Sequence, residues 1–83
     1  MAIHDAIVEL VKTVVLRVLN SVGKDGYVRY GRLLEEVSKV LREHGVEIGR
    51  DKLAFYLSDV LARLEDEGKV VFDSVYGLVI PKH

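Results

Sequence analysis

The chain has 83 residues, 49% of them hydrophobic and 30% charged, and its twelve Lys and Arg against thirteen Asp and Glu leave a net charge of −1. That balance belongs to one small folded domain rather than a disordered segment, and it excludes the simple basic-protein route to nucleic acid. The absence of cysteine excludes a disulfide framework and a thiolate metal site. A chain this short buries only about 60% of its unfolded surface, so its own core is thin. Asp5, Glu9, Lys12 and Arg17 interrupt the apolar N-terminal third, and no uncharged run reaches the roughly 18 residues of a membrane span. The same segment lacks a basic start and a small-residue cleavage site, so it does not read as a signal peptide. A soluble, cytoplasmic protein is expected. The lack of Gln, with one Asn and one Met beside many Lys, Arg and Glu, fits a thermophile.

No repeat, low-complexity run or Pro-rich linker divides residues 1–83, which read as a single domain. A first helix is predicted over about 3–20. At a helical turn of about 100° per residue, Asp5, Glu9, Lys12, Thr13 and Asn20 share one face, and the apolar residues cover an arc of roughly 220°. Gly23 and Gly26 flank Lys24-Asp25 in a tight turn, from which Tyr27-Val28-Arg29-Tyr30 leaves as a short strand, 27–30. A second helix, about 32–44, places Leu33, Leu34, Val37, Val40 and Leu41 on one face. Gly45 ends it, and Val46 stands five residues after Leu41, the separation of the apolar contact in a Schellman cap. A third helix, about 52–67, carries Leu53, Tyr56, Leu57, Val60, Leu61 and Leu64 as its core stripe, with Asp51 as N-cap. Gly23, Gly26, Gly45, Gly49 and Gly68 all fall where a helical pattern stops, the usual place of a left-handed C′ residue. Lys69-Val70-Val71-Phe72 and Tyr76-Gly77-Leu78-Val79-Ile80 form a hairpin over 69–80, turned around Asp73-Ser74 and stopped by Pro81.

This order of helix, short strand, helix, helix and hairpin resembles the winged helix-turn-helix family over nearly the whole chain. The phrase Leu61-x-x-Leu64-x-x-x-Gly68-x-Val70 is similar to the helix-to-wing junction of such regulators. The resemblance implies an α+β fold with the hairpin as wing. It further implies a duplex-DNA binder of the transcription-regulator type with helix 3 as reader. Carried onto this chain, the reading face is Lys52, Phe55, Ser58, Asp59, Ala62 and Arg63, the phosphate contacts are Arg29, Arg32, Arg50 and Lys69, and the wing tip is Asp73-Ser74.

The charges on that face argue against tight binding. Asp59, Glu65, Asp66 and Glu67 stand against Lys52 and Arg63 on helix 3, and the wing tip offers an acid. DNA binding that draws on released counterions is then limited to about four cations near the starts of helices 2 and 3. Helix dipoles favour phosphate at those same ends. Phe55 lies opposite the leucine stripe and has two readings: tucked under the wing or turn, or exposed as an anchor for a protein partner or a thymine methyl. The runner-up function is therefore a protein-interaction module built on Phe55 and its acidic surround. Glu65-Asp66-Glu67 read either as an acidic docking patch or as a solvated helix end relieved by Arg63 and Lys69; the second is preferred.

The arc of helix 1 is wider than the stripe of about 100° that a surface helix needs. A homodimer with Ile3, Ile7, Val11, Val14 and Val18 at its interface would cover the excess; a monomer with helix 1 at its centre is the alternative. Catalytic chemistry is thin. His4, His44 and His83 are far apart, Gly23-Lys24-Asp25-Gly26 lacks phosphate-loop spacing, and the serines have no nucleophile elbow. No enzyme activity, cofactor or metal is expected.

Overall fold

In the computed structural model, which describes residues 3–23 and 26–82, the chain is α+β, with three helices and one small antiparallel sheet. The elements in chain order are α1 (Ile3–Asn20), β1 (Val28–Arg29), α2 (Tyr30–Glu43), α3 (Arg50–Asp66), β2 (Val70–Asp73) and β3 (Leu78–Pro81). The sheet order is β1-β3-β2, so the last strand lies in the middle. Val28 pairs with Val79 and Arg29 with Leu78 on one side, while Val70, Val71, Phe72 and Asp73 pair with Pro81, Ile80, Val79 and Leu78 on the other.

The core gathers Val8, Val11, Val14, Val15 and Leu19 of α1, the leucine and valine stripes of α2 and α3, and Val28, Val70 and Val79 from the sheet. Side chains alternate across a strand, and burial follows that rule: Val70 and Val79 face inward while Val71 and Ile80 are exposed. No charged or polar residue is buried in this core, and none of its polar side-chain atoms lacks a partner among the described residues.

Three boundaries differ from the sequence reading. The strand expected over 27–30 shrinks to Val28–Arg29 because Tyr30 already opens α2. Its N–H still reaches the sheet, donating to the Gly77 carbonyl at 2.8 Å, so one residue ends the ladder and starts the helix. Helix 3 begins at Arg50, with Gly49 rather than Asp51 as N-cap: the Leu53 N–H closes the first turn on the Gly49 carbonyl at 3.0 Å, and Asp51 sits within that turn. There an acid still opposes the positive end of the helix dipole. Gly49 has φ −60° and is therefore not a left-handed C′ residue as its position suggested. Pro81 is the last residue of β3 instead of lying just beyond it. Because Gly77 and Tyr30 bond on the β1 side and Lys82 bonds to Lys69 on the β2 side, the missing N–H of Pro81 points toward β1, past the point where that strand has run out.

Two helix ends follow the sequence reading. Gly45 has φ 76°, the Gly45 N–H donates to the Arg42 carbonyl and the Val46 N–H to the Leu41 carbonyl. Gly68 has φ 74° and repeats the pattern, with its own N–H on Glu65 and the Lys69 N–H on Leu64. Both are Schellman caps. At the end of α1, the Gly26 N–H donates to the Gly23 carbonyl at 2.9 Å; Lys24 and Asp25 of that expected turn lie outside the described residues.

Candidate nucleic-acid interface

The starts of α2 and α3 share a property. Each helix has an N-cap residue without a capping side chain, Arg29 for α2 and Gly49 for α3. Apart from the Tyr30 N–H, which is taken by Gly77, their first-turn N–H groups have no capping side chain as acceptor, and they lie beside Arg29 and Arg32 at one end and Arg50 and Lys52 at the other. Among the described residues, none of these four cations has a carboxylate in ion-pair range.

Tyr30 relates α2 to α3. Its hydroxyl donates to the Ala54 carbonyl at 3.1 Å, and Ser58 Oγ stands 3.2 Å from the same oxygen. With the phenolic proton given to Ala54, the Ser58 hydroxyl is the donor in the second bond. The Tyr30 ring stacks on Phe72 of β2 at 5.6 Å between centroids. One side chain thus joins the start of α2, the middle of α3 and the hairpin.

Ser58, expected on the reading face, is occupied by Tyr30. Phe55 is 69% exposed, with its ring edge-to-face with that of Tyr56 at 6.5 Å between centroids, so the tucked alternative does not hold. Arg63 is held by Asp59 one turn earlier, Nη2 to Oδ2 at 3.2 Å. Lys69 is held by Glu67 at 3.1 Å. Both pairs are exposed and contribute little to stability, but one neutralises Arg63, expected on the reading face, and the other Lys69, expected at phosphate.

The acids at the end of α3 are engaged within the chain. Glu65 Oε2 accepts the Phe72 N–H at 3.1 Å, which covers the outer edge of β2. Glu67 Oε2 also meets Lys12 Nζ of α1 at 3.4 Å. Hydrogen bonds from Lys69 and then Lys12 hold the Glu67 carboxyl below its ordinary 4.5. An ion-pair and strand-edge role accounts for Glu65 and Glu67 without a docking patch.

The hairpin tip differs from the expected Asp73-Ser74. Asp73 ends β2, and its Oδ1 accepts the N–H groups of Val75 and Tyr76 at 3.0 and 3.2 Å. The turn itself runs to Gly77, which has φ 65°, and exposes Val75 and Tyr76 at 83% and 73%. Tyr30, Val75 and Tyr76 were missed as functional or positioning residues, and Glu65, expected in a solvated helix end, was missed as a cap on the strand edge. Only the apolar pair Val75-Tyr76 beside Gly77 carried a local signal, that of apolar residues placed in a turn.

Helix 1 requires the largest correction. Val11 and Val14, expected at a dimer interface, are fully enclosed by the chain itself, as are Val8, Val15 and Leu19. Ile7 and Val18 are half-buried and pack against the same core, while the Ile3 side chain lies outside the described residues. The exposed side of α1 is Asp5, Ala6, Glu9, Thr13, Arg17 and Asn20, largely the polar face read from the sequence. Helices α2 and α3 and strand β3 together cover the wide apolar arc.

A groove of about 450 Å³ lies at the turn between α2 and α3, lined in part by Ser38, Leu41, Arg42, Ile48 and Leu53. Among the described residues no group of three His, Asp or Glu could hold a metal ion, and no helix is long and apolar enough to cross a membrane. Compared with protein-family models, curated proteins and solved structures, the chain matches none.

Proposed function

We propose that the chain is a winged helix-turn-helix protein of the transcription-regulator type, binding duplex DNA through the starts of α2 and α3. The order of elements and the antiparallel hairpin after α3 are compatible with that family's layout. One observation carries the reading: two helix N-termini without capping side chains, each beside two cations that no acid among the described residues neutralises. Free N–H groups and the positive end of the dipole favour phosphate at such ends. Tyr30 holds their spacing, so two phosphates could be met without reordering the chain.

In this reading α3 enters the major groove by its first turns only. Arg50 and Lys52 approach phosphate and Phe55 approaches a thymine methyl. Asp59, Asp66 and the neutralised Arg63 stay outside the groove.

About four phosphate contacts give a salt slope near −3.6, so affinity falls roughly a hundredfold between 50 and 200 mM salt. Titration of labelled duplex at several salt concentrations tests this, with Arg50→Ala plus Lys52→Ala expected to abolish the shift. No shift at tens of micromolar protein in low salt would overturn it.

One observation favours a second reading, a protein-interaction module. Phe55 is 69% exposed on a helix face that also carries Asp51, Asp59 and Asp66, a surface suited to a basic, apolar partner segment.

A further inference from the structure

We propose that the outer face of the sheet is where two copies of this chain meet. Strand alternation and the observed register put six residues there in two rows. One row is Arg29, Leu78 and Asp73 across β1, β3 and β2. In the other, Ile80 stands beside Val71, and continuing the β1–β3 register by one residue places Tyr27 on its other side. Their inward neighbours Val28, Val79 and Val70 are buried against the helices, whereas Tyr27, Ile80 and Val71 are all exposed. The chain covers one face of its sheet and leaves an apolar row on the other.

Charge identifies the occupant. Arg29 stands at the β1 side and Asp73 at the β2 side of the same row, and among the described residues neither forms an ion pair. A two-fold axis lying along β3 between two such faces sets β1 of one copy over β2 of the other. Arg29 then faces Asp73 of the second copy, twice by symmetry, and the Leu78 and Ile80 side chains meet their own equivalents. The face is self-complementary, as an isologous interface must be.

Edge-to-edge pairing is the obvious competitor. It is blocked at β2, where Glu65 already accepts the Phe72 N–H, and β1 offers only two residues. Six side chains cover far less than the roughly 800 Å² per partner of a standard interface, so the association is weak and reversible. This surface shares Arg29 with the start of α2 but includes neither the start of α3 nor its exposed face, and the inference does not depend on DNA binding.

Sedimentation equilibrium from ~10 μM to ~1 mM, the range of weak transient interfaces, tests it without nucleic acid. The wild-type chain should show a monomer–dimer equilibrium. Ile80→Asp should lower the association constant at least tenfold, and Val71→Thr, which keeps strand propensity, guards against simple misfolding of the first variant. Arg29→Gln and Asp73→Asn should each weaken association severalfold. Asp73→Asn retains the turn acceptor, and the double variant should lose no more than one of the singles, as paired charges require. Leu10→Gln on α1 should leave the equilibrium unchanged. A chain monomeric to ~1 mM, or a dimer lost with Leu10→Gln and insensitive to Ile80→Asp, would overturn the proposal.

Discussion

Tyr30 shows how much one side chain can carry in a domain of this size. Its N–H closes the sheet, its ring lies on Phe72 and its hydroxyl reaches the backbone of α3. Tyr30→Phe keeps the stacking and removes the hydroxyl bonds, so it should lower stability by about 0.5–1.5 kcal/mol in urea denaturation. A loss well above that range would mean that the ring also shifts. None of this was legible in the sequence, where Tyr30 read as the last residue of a strand. The alternation Tyr27-Val28-Arg29-Tyr30 gave the strand its pattern, but the bond between Tyr30 and Ala54 joins positions 24 residues apart. The outward side of Phe55 was legible for the opposite reason: it follows from the spacing of Leu53, Tyr56 and Leu57 on the same helix, a purely local periodicity, whereas whether the wing or turn covers the ring is a tertiary matter.

At the scale of elements, the three helices were readable because each has strong periodicity and a glycine near its end, and the hairpin because two β-runs flank a turn and stop at Pro81. The Schellman geometry at Gly45 was visible in the Leu41–Val46 separation, and Gly68 repeats it. At Gly68 an added Cβ would meet nothing within 4 Å, so only backbone conformation penalises a side chain there. Gly68→Ala should cost about 1–2 kcal/mol in thermal unfolding, the strain of an L-residue with left-handed φ. A neutral result would show that the end of α3 can unwind into a different cap. Boundaries were less readable than existence. The start of α3 moved from the expected 52 to Arg50 because a backbone carbonyl, that of Gly49, closes the first turn where a side-chain cap at Asp51 was expected.

For the whole molecule, the sequence reading erred where it had to judge how much surface so short a chain could cover. The arc of α1 looked too wide for a single copy, yet two helices and β3 enclose Val8, Val11, Val14, Val15 and Leu19. Beside Phe55 and the hairpin tip, unclaimed apolar surface lies instead on the sheet, where exposure depends on which face the helices take, and no local pattern decides that. Long-range charge was also hidden. Lys12 of α1, Glu67 after α3 and Lys69 before β2 form a triad that spans the chain. Because these bonds hold the Glu67 carboxyl below 4.5, its contribution is present above that value and is lost as pH falls through the lowered one. Glu67→Gln should therefore reduce the melting temperature near neutrality, with the difference from wild type shrinking on acidification to about pH 3. A gap that persists in acid would assign the effect to packing. The group is exposed, so added salt should narrow the gap as well.

The bonds of Tyr30 have a mechanical consequence. With the hairpin, α2 and α3 fastened at one aromatic ring, none of the three can pivot about the others without breaking a hydrogen bond or a stack. Any accommodation to a bound molecule must then occur at the periphery, in the 74–77 tip or the 44–49 connection, while the centre behaves as a preset gauge. On the proposed DNA reading, such a gauge would accept one separation between phosphates and discriminate against others by length alone.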